Sequence, residues 1–293
     1  MPAPTAYGGQ AVIEGVVIRG KRTLAMACRK PDGAIYRYRE ALRSPLLRPG
    51  PWRWPFVRGV VVLWESLSHG MRMLMRSAEL QMPENEEMGK GGTAAMIVAV
   101  GIALVLFIGI PYAVTALLRG ALGERDLTAN VVEGVLRLVL FLGYLGAISL
   151  MPDIRRVFAY HGAEHMTIHA FEHGEALVPD RVRPYPTAHP RCGTAFLLIV
   201  VVIAIASFAF IPRVHPLADL AVRLALVIPV AAVSYEVLKL GAKYEHLAPF
   251  RALVAPGLFL QRITTRRPDD GMIEVAIASL EEALAGDAEA QAA

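Results

Sequence analysis

The sequence predicts a predominantly α-helical, polytopic membrane protein with about four transmembrane helices and a small N-terminal cytosolic β-meander. Three observations lead there. First, 55% of the 293 residues are apolar, above the roughly 45–50% usual for soluble domains, and the mean hydropathy is +0.44. Second, the excess is gathered in runs. Residues 93–118, "TAAMIVAVGIALVLFIGIPYAVTALL", carry no charge and exceed the ~20 residues a helix needs to cross a hydrocarbon core of about 30 Å. Third, loosely alternating stretches bounded by glycine precede these runs and read as strands.

Residues 1–50 are the β-rich region. "GQAVIEGVVIRG", "RTLAMACR" and "AIYRYRE" are expected as three strands, the last two joined by "KPDG", where Pro and Gly suit a tight reversal. Residues 51–92 open with a Pro-rich connector whose Trp52, Arg53 and Trp54 suit the headgroup layer. An amphipathic helix over 57–80 follows, lying on the inner leaflet or against the bundle. The polar linker "QMPENEEMGKGG" then leads into the first span.

Residues 93–151 hold the first two spans, 93–118 and about 131–151. Residues 194–238 hold the third and fourth, about 194–212 and 217–238. Glu133, Arg137 and Arg223 fall inside spans at similar depth, near the outer side, and are read as neutralising one another. Between the span pairs, 152–193 is a cytosolic loop with a helix and five of the eight histidines. Residues 239–285 form a cytosolic, helical C-terminal region. Pro256 and Gly257 break the chain, and a helix near 272–285 starts with Asp269, Asp270 and Glu274 in its first turn, where exposed amides favour acids. Residues 286–293 are expected to be a disordered tail.

Charge orients the chain. With the N-terminus inside, the outer loops hold only Arg119, Arg125 and Arg213, while Arg72, Arg76, Arg155, Arg156, Lys239 and Lys243 lie inside. The first span then acts as an internal signal anchor. The expected location is the inner, cytoplasmic membrane, with both termini cytosolic. The net charge of +4 follows from this topology and calls for no specific nucleic-acid partner. Cys28 and Cys192 face a reducing compartment, which argues against a disulfide.

The chemistry concentrates in "YHGAEHMTIHAFEH", residues 160–173. His161 and His165, one helical turn apart, can bind a single ion. With Glu164 they form "HGAEH", the H-x-x-E-H pattern in which two histidines hold zinc and the glutamate handles a proton. His169 and His173 are read as a solvated face. Gly162 inside the helix suggests close approach of another backbone, or a helix that begins after it. In "HPRCGT", His189 and Cys192 have the spacing of an H-x-x-C metal clip; the equal alternative is an ordinary turn at Pro190 and Gly193 entering the third span, with Arg191 able to fix its depth at the headgroups. Glu236, an acid inside the fourth span, is a third candidate ligand, with a pair to Lys239 or Lys243 as the plainer reading. Two ligand sets stay open. His161, His165, His189 and Cys192 make a closed, structural site. His161, His165 and a carboxylate leave a position for water, as catalysis requires.

"YGGQAVIEGVVIRG", "YHGAEHMTIHAFEHGE", "HPRCGTAF", "SYEVLKL" and "PGLFLQRITTRRPDDGMIEVAI" together resemble the bacterial YqhQ-like membrane proteins over roughly residues 7–280. The resemblance implies a metal-dependent enzyme. It carries the family's polar signature onto His161, Glu164, His165, His189, Arg191, Cys192, Glu236, Asp269 and Asp270. Met166 departs from it, standing where Lys is expected in many relatives, so that position is not expected to be essential.

The function expected is a membrane-embedded enzyme dependent on a divalent metal, zinc in the simplest case. It would be a hydrolase with Glu164 as general base at the cytosolic membrane face. The alternative is a non-enzymatic membrane scaffold or assembly factor with a structural metal or none. The partners expected are the lipid bilayer, a membrane-protein segment or lipid as substrate, and a second copy of the chain.

Overall fold

The computed structural model describes residues 7–83, 91–118, 126–244 and 247–292. Arg119, Arg125 and most of the polar linker before the first span lie outside the described residues. Four strands come first: β1 (Gly8–Val12), β2 (Gly15–Arg19), β3 (Thr23–Arg29) and β4 (Ile35–Ala41). Among the described residues the helices of eight residues or more are α1 (Val57–Glu79), α2 (Gly91–Leu104), α3 (Ile110–Leu117), α4 (Asp126–Ile148), α5 (Pro152–Glu172), α6 (Gly193–Ala209), α7 (Pro216–Lys243), α8 (Ala248–Thr264) and α9 (Asp270–Ala292).

The strands form an antiparallel meander in the order β1-β2-β3-β4, one strand more than the sequence suggested. The extra strand arises at "VIEG". Glu14 takes a left-handed φ of 51°, and the chain reverses between the paired residues Val12 and Gly15. Alternation along β2 and β3 is weak because both faces are covered. Val16, Ile18, Ala25 and Ala27 pack with α5 and α9, while Val17, Leu24, Met26 and Cys28 pack with Met73 of α1.

Three helical stretches are long and apolar enough to cross a membrane: Ile97–Leu117, Asp126–Ile148 and Pro216–Gly241. Helix α6 is equally apolar but has 17 residues, at the short end of the spanning range. These agree with an expectation of about four spans, and the chain is a membrane protein. Helices α2 and α3 are joined by a π-helical turn, Val105–Gly109. Pro111 lacks an N–H, so the Phe107 carbonyl one turn earlier loses its helical donor. Arg137 Nε fills that place at 2.8 Å.

Arg137 belongs to a buried polar node. Both Glu133 oxygens are held by arginines: Oε1 by Arg137 (2.6 Å) and Arg223 (3.2 Å), Oε2 by Arg213 (2.6 Å). The pairing of Glu133 with Arg137 and Arg223 read from the sequence is present, with Arg213, which it had placed in a loop, as a third guanidinium on the one carboxylate. Asn130 Oδ1 accepts from Arg213 and Arg223 and completes the set.

Two expectations at the C-terminal end are corrected. Pro256 and Gly257 do not break the chain; both lie inside α8. Gly257 lets α8 approach α6 so closely that a Cβ there would sit 2.6 Å from the Ala195 Cβ. The tail is not disordered either, because α9 runs to Ala292. Asp287 is 3% exposed and accepts hydrogen bonds from the Lys21 and Arg22 amides (2.7 and 2.8 Å) and from the Tyr7 hydroxyl (2.7 Å). The low hydrophobicity of "GDAEAQA" hid a tail held by polar contacts to the β2–β3 turn.

Candidate metal centre

Helix α5 carries the histidines, and its sequence favours entry rather than cohesion. Pro152 starts it and Asp153 lies in its first turn. Its buried face, including Tyr160, Ala163 and the fully buried Met166, joins the core shared with β2, β3 and α9. Glu14 fastens its first half to the sheet, accepting from two Arg156 nitrogens at 2.6 Å each and from the Tyr160 hydroxyl at 3.1 Å. Gly162 has the role expected of it: a Cβ there would overlap the Arg266 carbonyl oxygen, so the chain leaving α8 crosses directly over α5.

A strap formed by residues 187–192 runs along the histidine face. The Thr187 carbonyl accepts from His165 Nδ1 at 2.6 Å, and the Ala188 carbonyl accepts from His169 Nε2 at 2.9 Å. His161 Nδ1 donates to the Thr264 carbonyl at the end of α8, at 2.9 Å. These bonds fix the tautomers. A ring nitrogen facing a carbonyl must carry the proton, so the other nitrogen of a neutral imidazole holds a lone pair. His161 Nε2 and His165 Nε2 are therefore both acceptors.

A thiol and a carboxyl face these two nitrogens. Cys192 Sγ is 3.2 Å from His161 Nε2, and Glu164 Oε2 is 3.4 Å from His165 Nε2. The ligand atoms of His161, His165 and Cys192 all lie within 4.8 Å of one another. Cys192 is also the N-cap of α6, accepting from the Thr194 amide at 3.4 Å. Glu164 and His165 are each 3% exposed and Cys192 4%. Burial pushes the Glu164 carboxyl up from its ordinary value and the His165 imidazole down, each toward its uncharged form. A cavity of about 60 Å³ opens beside Glu164, His165, His189 and Cys192, and is also lined by Gly8, Gly9 and Gly193.

The remaining candidates fall elsewhere. His189 lies next to the first group but joins a second one with His169 and Glu172, so His169 is not the solvated residue expected. Its main chain is gripped by Gln261 of α8, which accepts from the His189 amide (2.7 Å) and donates to its carbonyl (2.9 Å). Arg191 pairs with Glu172. Glu236 is not brought to the cluster. Arg58 binds it through Nε at 2.8 Å and through Nη2, and the Phe56 amide donates at 3.2 Å. Its cost within a span is met by the start of α1, and neither Lys239 nor a metal is needed. Asp269 caps α9 through the Met272 amide (2.8 Å), and Asp270 pairs with Arg183, in keeping with a docking helix. Cys28 and Cys192 are both free.

Sequence reasoning missed Gln261, Thr264 and the strap carbonyls. A carbonyl has no residue type to betray it. Gln261 and Thr264 did sit in "LQRITTRR", among the stretches that carried the family resemblance.

Comparison with known proteins agrees with that resemblance. A family model described as "Protein of unknown function (DUF1385)" matches residues 54–286. The "Uncharacterized protein YqhQ" of Bacillus subtilis (strain 168) is 31% identical over 296 residues, covering 96% of this chain and 93% of its own. No solved structure matches the chain. With the family model spanning most of the chain and the relative nearly all of it, this protein belongs to the DUF1385, YqhQ-like family.

Proposed function

We propose that the protein is a metal-dependent membrane enzyme, a hydrolase, whose His161, His165 and Cys192 hold one divalent cation. One observation carries this reading: lone pairs converge with ionisable groups. The Nδ1 atoms of His161 and His165 are committed to carbonyls, and their Nε2 lone pairs converge with a thiol and a carboxyl in a buried space. In the metal-free protein the thiol proton, or that of an uncharged Glu164, can meet these lone pairs, and a cation would displace the thiol proton and bind the same atoms. The carbonyl partners are also the outer contacts that orient metal-ligating imidazoles. Two nitrogens and one sulfur suit zinc better than a hard cation, and three protein ligands leave a position open, as in catalytic zinc sites.

When bound, the cation supplies Lewis acidity beside the cavity. Glu164 lines that cavity and is placed to take a proton from water as its oxygen attacks a substrate carbonyl or phosphoryl centre. The same carboxyl then returns the proton to the leaving group. The ligands come from the start of α6, the middle of α5 and the strap, while the Thr264 carbonyl closes from α8. The centre thus sits at the seam between the membrane bundle and the sheet layer. The arginine and lysine distribution supports placing this seam at the cytosolic face of the cytoplasmic membrane, with both termini inside. A membrane-protein segment or a lipid would reach it there.

The test is the metal content of the purified full-length protein. Wild type and Glu164→Gln are expected to carry about one zinc per chain, and Cys192→Ala far less. Loss of metal from Glu164→Gln would make Glu164 a fourth ligand and the site a structural staple, which is the scaffold alternative. A metal-free wild type after gentle purification would overturn both.

A further inference from the structure

We infer that His189 is a hydrogen-bond donor of an anion-binding cavity beside the metal ligands, rather than a ligand itself. The inference deepens the hydrolase reading and rests on it for the substrate class: an acyl or phosphoryl compound that presents a negatively charged, or increasingly negative, oxygen to this cavity.

The tautomer decides the role. The Arg191 backbone amide points at His189 Nδ1 at 3.3 Å. An amide can only donate, so Nδ1 accepts and the proton of the neutral ring resides on Nε2. This is the reverse of His161 and His165, where Nδ1 carries the proton. His189 Nε2–H is buried and has no hydrogen-bond partner. Its nearest carboxylate oxygen is Glu172 Oε2 at 3.7 Å, beyond hydrogen-bond length, while the other Glu172 oxygen is engaged by Arg191. A buried donor without an acceptor is costly. His189 is 5% exposed and lines the cavity of about 60 Å³, which has room for a few waters or a small oxyanion.

The N-terminus of α6 stands on the same cavity. Gly193 is the first residue of the 17-residue α6, where the helix dipole favours negative charge, while the Thr194 and Ala195 amides are taken by the Cys192 Sγ and carbonyl. A Cβ at Gly193, or at Gly8 across the cavity, would meet nothing within 4 Å, so both glycines border open space. The cavity is thus lined both by His189 and the first residue of α6 and by Glu164, His165 and Cys192. That is the disposition needed to hold a substrate oxygen while its neighbouring atom faces the base and the cation. The grip of Gln261 on the His189 main chain holds the turn independently of the imidazole.

The experiment titrates full-length protein in detergent micelles with inorganic phosphate and, separately, with acetate, by calorimetry. Both the metal-free and the cobalt(II)-loaded forms are used. His189→Ala and the ring-preserving His189→Phe are each expected to weaken anion binding about tenfold or more in both forms, as for loss of a hydrogen bond to a charged group. They should retain cobalt with its thiolate charge-transfer band. Loss of that band in His189→Phe would make His189 a ligand and overturn the inference. Unchanged anion affinity in either variant, or no anion binding by wild type, would overturn it as well. Failure of wild type to take up cobalt would sink the hydrolase reading alone, because the metal-free titration still decides the role of His189.

Discussion

The two ends of the helical bundle hold polar groups in opposite ways. At one end Glu133 sits among Arg137, Arg213 and Arg223, and each of its oxygens meets guanidinium donors. At the other end His161, His165, Cys192 and Glu164 turn lone pairs toward one another, with carbonyls already occupying the remaining imidazole nitrogens. The first arrangement gives every Glu133 oxygen a guanidinium donor, leaves only Arg137 Nη1 without a partner among its described groups, and ties α4 to the α6–α7 connection and α7. The second can be closed by the Cys192 thiol proton or, in the reading proposed above, by a cation that displaces it.

Substitutions should separate the two ends. The largest effect is expected from Glu133→Ala, which leaves three guanidiniums buried without their shared carboxylate. Breaking a buried ion pair costs about 3–5 kcal/mol, so the variant should fail to accumulate in membranes or lose most of its thermal stability in detergent. Cys192→Ala should do the reverse, folding with only about 1 kcal/mol lost through the α6 cap while its zinc affinity falls by at least about a hundredfold, read by competition with a chelator. If Cys192→Ala instead unfolds the protein and Glu133→Ala is silent, the contrast between the ends is wrong.

Between these lies Gly162→Ala. Its methyl group would meet the Arg266 carbonyl, forcing α5 and the chain after α8 apart at a cost of about 1–3 kcal/mol. Because His161 adjoins the same crossing, metal affinity should fall along with stability. A loss of stability with intact zinc binding would show that the crossing does not position the ligands.

Asp287 provides a pH-dependent control remote from both ends. Burial pushes its carboxyl up, but the Arg22 and Lys21 amides and the Tyr7 hydroxyl outweigh that and hold it below the usual carboxylate range. Its contribution is therefore full above the unfolded value of about 3.9 and is lost as pH falls through the lower folded value. Asp287→Asn should lower thermal stability by about 1–2 kcal/mol at neutral pH, with the difference from wild type shrinking below pH ~4. A difference that stays constant on acidification would deny the carboxylate this role. The smallest effect belongs to Glu236→Gln, for which zinc content should be unchanged.

Most of the fold was legible because it is written in hydropathy. The long apolar stretches and the glycine-bounded strands each announced an element. What escaped were features set by contacts. The β1–β2 turn needed Glu14 in a left-handed conformation, α8 ran through Pro256, and α9 extended along "GDAEAQA" because Asp287 found backbone amides to bind. The site was legible in its residue types and spacing. His161, Glu164 and His165 on one helix and Cys192 on a second segment do come together. The contacts of His189 and Glu236 were not legible, because each depends on a partner distant in sequence or on a backbone amide: Arg58 for Glu236, and the Arg191 N–H for His189.

The most direct measurement is zinc K-edge X-ray absorption on the purified wild-type protein. We expect a shell of two nitrogen scatterers at about 2.0–2.1 Å and one sulfur at about 2.3 Å, completed by a light oxygen ligand. A shell without sulfur, or with histidine scattering greater than two imidazoles, would contradict a centre built from His161, His165 and Cys192.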